Sequence, residues 1–298
     1  MRKNKIFCGE SCIYLFFLQK DCGIINSDKV KLTNLRLYVR ALREYIWVNM
    51  FARWTMKSKV IDMLIVALLL WSVLNIPSYT ETIRQVWKMA ESPVVVLDPG
   101  HGGIDGGAVA ADGTAEKDIN LKIALNLKKL LEAEGVRVIM TRRTDEGLYE
   151  ENDKAAIRSL KTQDMYERKR IIDESEADLT VSIHLNSFTE DDSVKGAQVF
   201  YPSEGESSIV EKSRMAAEIV QKDLNEKVNT DKKRTEMGKN DVFLLKEASG
   251  SIIIVECGFL SNREDLEMLK NASKQEEISK TLQASICKYL NETGNKTQ

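Results

Sequence analysis

The sequence predicts an α/β fold: one large domain with a mostly parallel sheet flanked by helices on both faces, preceded by a membrane anchor or signal helix. Three observations carry this. Short apolar runs without polar alternation, such as Val94-Val95-Val96-Leu97 and Ile252-Ile253-Ile254-Val255, are the mark of strands buried on both faces. Segments with helical period lie between those runs, giving the β-α-β order of parallel sheets. A basic flank precedes a separate apolar segment at residues 60–76.

The 298 residues, 43% hydrophobic and 30% charged, suffice for one sizeable core plus an extension. Charge is unevenly spread. Residues 1–60 hold 12 Lys and Arg against 4 Asp and Glu, and the remainder holds 31 against 41. An acidic body argues against a nucleic-acid partner, and a basic head suits the cytoplasmic side of a membrane. The five cysteines include no CxxC pair, so neither a disulfide framework nor a Cys-rich zinc site is indicated. Cys257, at the end of a buried run, reads as a small core residue.

In chain order, residues 1–59 form a basic extension without clear period, with Met50 and Met56 as more ordinary starts than Met1. Residues 60–76 are expected to form an uncleaved anchor, its C-terminal side outside, because no A-x-A cleavage site follows. A buried amphipathic helix is the alternative. Residues 77–93 read as a linker with a short helix around Glu81–Ala90. The large domain spans 94–291. Its expected elements are a strand at Val94–Leu97, a helix at Ile119–Glu134 stopped by Gly135, and a strand at Val136–Thr141. A polar insertion or lid is expected over 142–163, then a helix near Asp164–Ser175 and a strand running from Leu179 to His184. Ala197–Tyr201 reads as a strand, Ile209–Val228 as a helix, Val242–Leu245 and Ile252–Val255 as strands, and Ile278–Leu290 as the last helix.

The chain has two histidines. His101 follows the first strand in the turn Pro99-Gly100-His101-Gly102-Gly103, and His184 ends another apolar run. Parallel strands put both on one rim, where open α/β sheets bind ligands. A catalytic zinc commonly takes three protein ligands. Glu116, just before a helix, is a third candidate. Spacing alone does not separate that role from a helix N-terminal carboxylate, and Asp98, Asp105 and Asp112 compete. Glu256 stands where a buried strand meets the rim and needs a partner. It suits a general base with a raised pKa, or an ion pair with Arg234 or Arg263. The Gly-rich loop fits neither nucleotide-binding spacing, so no nucleotide is expected.

Five segments together resemble a known family: Leu97-Asp98-Pro99-Gly100-His101-Gly102-Gly103, Glu116-Lys117-Asp118-Ile119-Asn120-Leu121, Thr141-Arg142, Ser182-Ile183-His184-Leu185-Asn186-Ser187 and Val255-Glu256-Cys257-Gly258-Phe259-Leu260-Ser261-Asn262. Val94–Leu290 is similar to the zinc-dependent N-acetylmuramoyl-L-alanine amidases of the amidase 3 type. The resemblance implies one Zn2+ on His101, Glu116 and His184, with Glu256 as the catalytic glutamate. Asn186 and Arg234 are candidate substrate contacts, and the implied substrate is peptidoglycan. One apolar segment and one catalytic domain, with Met165-Tyr166-Glu167-Arg168-Lys169-Arg170 before the second histidine strand, resemble the germination amidases of spore formers. That layout implies a role in cortex maturation (muramic-δ-lactam formation) on the outer face of the cytoplasmic membrane, and is compatible with an activating partner protein. The rival expectations are a general cell-wall amidase and an inactive wall-binding homologue. A zinc peptidase of the stem peptide is a further rival, which product analysis separates.

Overall fold

The computed structural model describes residues 56–75, 92–150, 156–229 and 231–294, with Arg40 and Arg43. The chain divides into two units, Met1–Gln85 and Val86–Gln298. In the first, helix α1 (Met56–Asn75) takes up the expected apolar segment and exposes Val60, Leu64, Leu68 and Trp71. Among the described residues no helix is long and apolar enough to cross a membrane. The expected helix around Glu81–Ala90 and nearly all of the basic extension lie outside the described residues.

The second unit is a single α/β domain. Its elements are β1 (Val94–Pro99), α2 (Glu116–Ala133), β2 (Arg137–Met140), α3 (Ile157–Ser175), β3 (Leu179–Asn186), β4 (Gln198–Pro202), α4 (Ser207–Lys227), β5 (Met237–Lys239), α5 (Phe243–Glu247), β6 (Ile252–Phe259), α6 (Arg263–Lys270) and α7 (Ala272–Gly294). The six strands lie in the order β2-β1-β3-β6-β4-β5. The first four in that order are parallel, but β4 runs antiparallel to β6, so the sheet is mixed.

Both faces of the sheet are covered, which is why β1 and β6 open on unbroken apolar runs and why even the Thr180 and Ser182 of β3 are buried. Val95, Leu97, Val181, Ile183, Ile253 and Val255 pack against α2, α4 and α7. On the other face Val96, Phe200, Ile252 and Ile254 meet Ile172 of α3 and Leu244 and Leu245 of α5. The helical period of α2 is that of its buried stripe, Ile119, Ile123, Leu127 and Leu131. Gly135 takes φ +82° just beyond, the left-handed stop that lacks a side-chain penalty.

Three expectations are corrected. Val242–Leu245 is not a strand: α5 occupies Phe243–Glu247, and a run this short suits either state. The stretch 142–163 is not all insertion, because α3 begins at Ile157. α2 begins at Glu116, not Ile119, which puts Glu116 in the helix's first turn. β5 and α6 were not expected from periodicity, being three and eight residues long.

Candidate active site

The parallel strands β1, β3 and β6 end together, and the two histidines emerge at that rim. Pro99 pairs with Ile183, and His184 pairs with Glu256. The β3–β6 register slips just beyond, between His184 and Asn186, an irregularity of the kind that re-aims side chains beside sites. His101 follows β1 in left-handed backbone, φ +61°, a region a non-glycine residue enters only when its surroundings hold it there.

Ligand atoms of His101, Glu116 and His184 lie within 4.8 Å of one another. Glu116 Oε1 is 3.3 Å from His101 Nε2 and 3.0 Å from His184 Nδ1. The rings meet edge to face, 4.9 Å between centroids. Glu116 is buried and firmly held: Leu185 N donates to Oε1 at 3.0 Å, Ala108 N to Oε2 at 2.9 Å, and Asn120 Nδ2 to Oε1 at 3.2 Å. His101 Nδ1 faces Asp105 Oδ2 at 2.8 Å, which leaves Nε2 toward Glu116. Asp105 is fixed in turn by Lys161 Nζ at 2.7 Å. Two glycines make room. A Cβ on Gly100 would lie 2.2 Å from Cε1 and Nε2 of His184, and one on Gly107, at φ +69°, would lie 2.5 Å from Glu116 Oε2.

The electrostatics follow from these contacts. Burial disfavours the charged forms of His101 and Glu116, but mutual pairing outweighs it. With Asp105 also present, His101 is raised to about 9, and Glu116 is held well below the usual carboxylate range. Glu256 behaves oppositely. Its Oε2 is buried with no hydrogen-bond partner. Burial foremost, and the Glu116 charge after it, push its pKa up to about 6, against His184, Lys239 and His101. A carboxyl group near neutrality beside a three-donor cluster can take up and release a proton under working conditions.

The competing carboxylates sit elsewhere. Asp112 pairs with Lys270, and Asp105 serves His101. Asp98 is buried in a network of its own: it accepts from Thr141 Oγ1 at 2.7 Å and Ser182 Oγ at 2.6 Å, and pairs with Arg168 Nη1 at 2.6 Å. Neither Arg234 nor Arg263 partners Glu256 Oε2. Arg234 donates from Nε to Lys195 O and lies 5.0 Å over the Phe259 ring, with Nη2 buried and unpartnered. Asn186 pairs with Phe259 across β3 and β6. Cys257 is fully buried and burial pushes its thiol far up, which does not suit a nucleophile. Sequence reasoning missed Arg168, Lys161 and Asn120. Lys161 lies in the first turns of α3 that were read as insertion, whereas Arg168 lay inside the expected helix and in a quoted segment but was given no role. Asn120 carried a signal, four residues after Glu116 on the same helix face.

A profile of the N-acetylmuramoyl-L-alanine amidase family matches residues 95–288. The chain belongs to this family. Among curated relatives, the germination-specific N-acetylmuramoyl-L-alanine amidase of Bacillus subtilis is 34% identical over 214 residues, covering 70% of this chain and 86% of the relative. The amidase AmiA of Escherichia coli is 29% identical, covering 68% and 78%. Among solved structures, the CwlD amidase of Clostridioides difficile, in complex with the GerS lipoprotein, matches with TM-score 0.63 and 38% identity over 67% of this chain and 99% of that one. The activity is therefore that of an N-acetylmuramoyl-L-alanine amidase, acting on peptidoglycan.

Proposed function

We propose that this amidase is zinc-dependent, with His101, Glu116 and His184 holding the metal and Glu256 acting as general base and then acid in cortex peptidoglycan of a developing spore. The observation that carries it is the pairing of a three-donor cluster with a buried, unpartnered carboxylate oxygen on Glu256. Two imidazoles and one carboxylate are a donor set that zinc takes in hydrolytic sites, where it keeps a position open. Bound there, zinc supplies Lewis acidity toward water and the scissile carbonyl.

The chain's own groups do the rest. Asp105 fixes the His101 ring by its Nδ1 edge, so Nε2 faces the centre. The backbone amides of Ala108 and Leu185 keep Glu116 from turning away. Glu256 takes a proton from the attacking water as the carbon–oxygen bond forms at the lactyl carbonyl. It returns that proton to the amide nitrogen as the carbon–nitrogen bond breaks, and the water's second proton follows to the amine, leaving a lactyl carboxylate and an L-alanine ammonium group. Asn186, the register partner of Phe259, and Arg234, over its ring, are proposed substrate contacts, supported by the unpartnered Arg234 Nη2.

The spore role is supported by the germination-specific Bacillus subtilis relative and by CwlD. A lipoprotein partner for this chain is proposed on the CwlD–GerS complex. In the same reading the enzyme acts on the outer face of the cytoplasmic membrane, attached through residues 60–76. Support comes from the basic head and the apolar side chains that α1 exposes. The test is mass spectrometry of muropeptides from purified cortex digested with and without a chelator. New L-alanine amino termini that disappear with chelator are expected. Cleavage within the stem peptide, or chelator-resistant cleavage, sinks the proposal. Unaltered muramic-δ-lactam in spores lacking the protein sinks the cortex role.

A further inference from the structure

Three consecutive carbonyls leading into the site, those of Pro99, Gly100 and His101, converge on two guanidinium groups. Arg168 donates from Nη1 to Pro99 O at 2.9 Å and from Nη2 to His101 O at 2.7 Å. Arg142 donates from Nε to Pro99 O and from Nη2 to Gly100 O, both at 2.9 Å, and also from Nη2 to Lys117 O at 2.8 Å. Both side chains are almost wholly buried. Arg168 is neutralised by Asp98 and Asp164. Asp98 also accepts from Ser182, two residues before His184, so one buried node touches the strands that carry both histidines.

A buried guanidinium is costly to desolvate, and a hydrophobic side chain would serve packing alone as well or better. What a planar fork adds is direction, because its N–H groups fix the planes of the peptides they meet. The peptides fixed here bracket the left-handed turn at His101. Lys117, the next residue after Glu116, is tied to the same Arg142 nitrogen as Gly100.

We propose that Arg168 and Arg142 are positioning residues for the metal cluster: they set the peptide planes of residues 99–101, and so aim the His101 imidazole at Glu116 and His184. The inference rests on the zinc reading above. Partners one step removed from the ligands typically change metal affinity by about 10- to 100-fold.

The test uses the full chain as wild type, Arg168→Lys and Ile172→Val. Zinc Kd is read by competition with a chromophoric chelator, and thermal midpoint is read on the metal-free forms. Lysine keeps the charge and loses the fork. Arg168→Lys is expected to weaken zinc binding about tenfold or more, with activity recovering as zinc is raised. Ile172→Val trims the core under the same helix, and should lower the midpoint without moving Kd. An unchanged Kd in Arg168→Lys overturns the positioning role. A wild type that binds no zinc overturns the zinc reading instead, a separate and recognisable result. If Arg168→Lys does not fold, Arg142→Lys, which leaves Asp98 paired, is measured in the same way, and an unchanged Kd there overturns the proposal.

Discussion

Glu116 and Glu256 are both carboxylates at the same rim, yet their surroundings separate them. Glu116 accepts three hydrogen bonds and faces two imidazoles, so its charged form is strongly favoured. Glu256 keeps an oxygen with no partner, so burial raises its pKa instead. The same substitution should therefore have different effects. Glu256→Gln is expected to keep zinc and lose turnover by about 10²–10⁴-fold, the usual worth of a general base. Glu116→Gln should lose zinc first, since a neutral amide is a poorer ligand, and should recover activity with added metal. Zinc content by mass spectrometry beside turnover at saturating zinc separates the roles, and a Glu256→Gln variant rescued by zinc contradicts them. Gly100 extends the argument to a residue without a side chain. Its N–H donates to Ile183 O at 2.9 Å and its carbonyl is held by Arg142, so the loop has little freedom to retreat from a new Cβ. Gly100→Ala should push the His184 ring aside, weakening zinc binding and destabilising the fold by about 1–3 kcal/mol from overpacking.

Among the elements, α3 shows why part of the site was hidden in the sequence. Its buried positions are Leu160, Asp164, Arg168 and Ile172, spaced by four. Two of these are charged, so a search for apolar period finds only half the stripe, and residues 157–163 read as polar insertion. By contrast β1 and β6 were legible because burial on both faces leaves them apolar up to the rim, and β3 because its Leu179, Val181 and Ile183 alternate with only the small buried Thr180 and Ser182. Both histidines and Glu256 stand where that pattern breaks. The antiparallel placement of β4 left no such trace, because one short strand reads the same in either direction. The charged stripe of α3 also has a consequence for stability. Burial works against the Asp98 charge, but Arg168, Ser182 and Thr141 outweigh it and hold the pKa at about 2, below its ordinary 3.8. A depressed carboxylate stabilises the fold above its unfolded pKa, and the gain is lost as pH falls from about 4 toward 2, on the order of 2 kcal/mol. Asp98→Asn should remove that acid dependence. It should also destabilise the fold by about 3–5 kcal/mol, because Arg168 loses a buried counter-charge. Urea unfolding of the metal-free chain between pH 5 and 2 measures both, and an unchanged pH slope in Asp98→Asn contradicts the assignment.

Across the whole domain, the cluster joins parts that are distant in sequence. His101 lies in the loop after β1, Glu116 in the first turn of α2 and His184 near the end of β3. A ligand that binds these three only when they are assembled favours the folded chain, by RT ln(1 + [L]/Kd), or about 2.7 kcal/mol at a hundredfold excess over Kd. For a domain of this size that corresponds to a rise in thermal midpoint of roughly 5–10 °C. The wild-type midpoint should therefore climb with zinc concentration and fall back with a chelator. Glu256→Gln should show the same climb, because its carboxylate is not among the ligands. His184→Ala should show almost none, having lost a ligand. A merely nonspecific zinc effect, through the many surface carboxylates, would raise or lower all three proteins alike. The decisive comparison is thus the difference in zinc-dependent midpoint between Glu256→Gln and His184→Ala. Equal shifts in the two would contradict a single metal centre built from β1, α2 and β3.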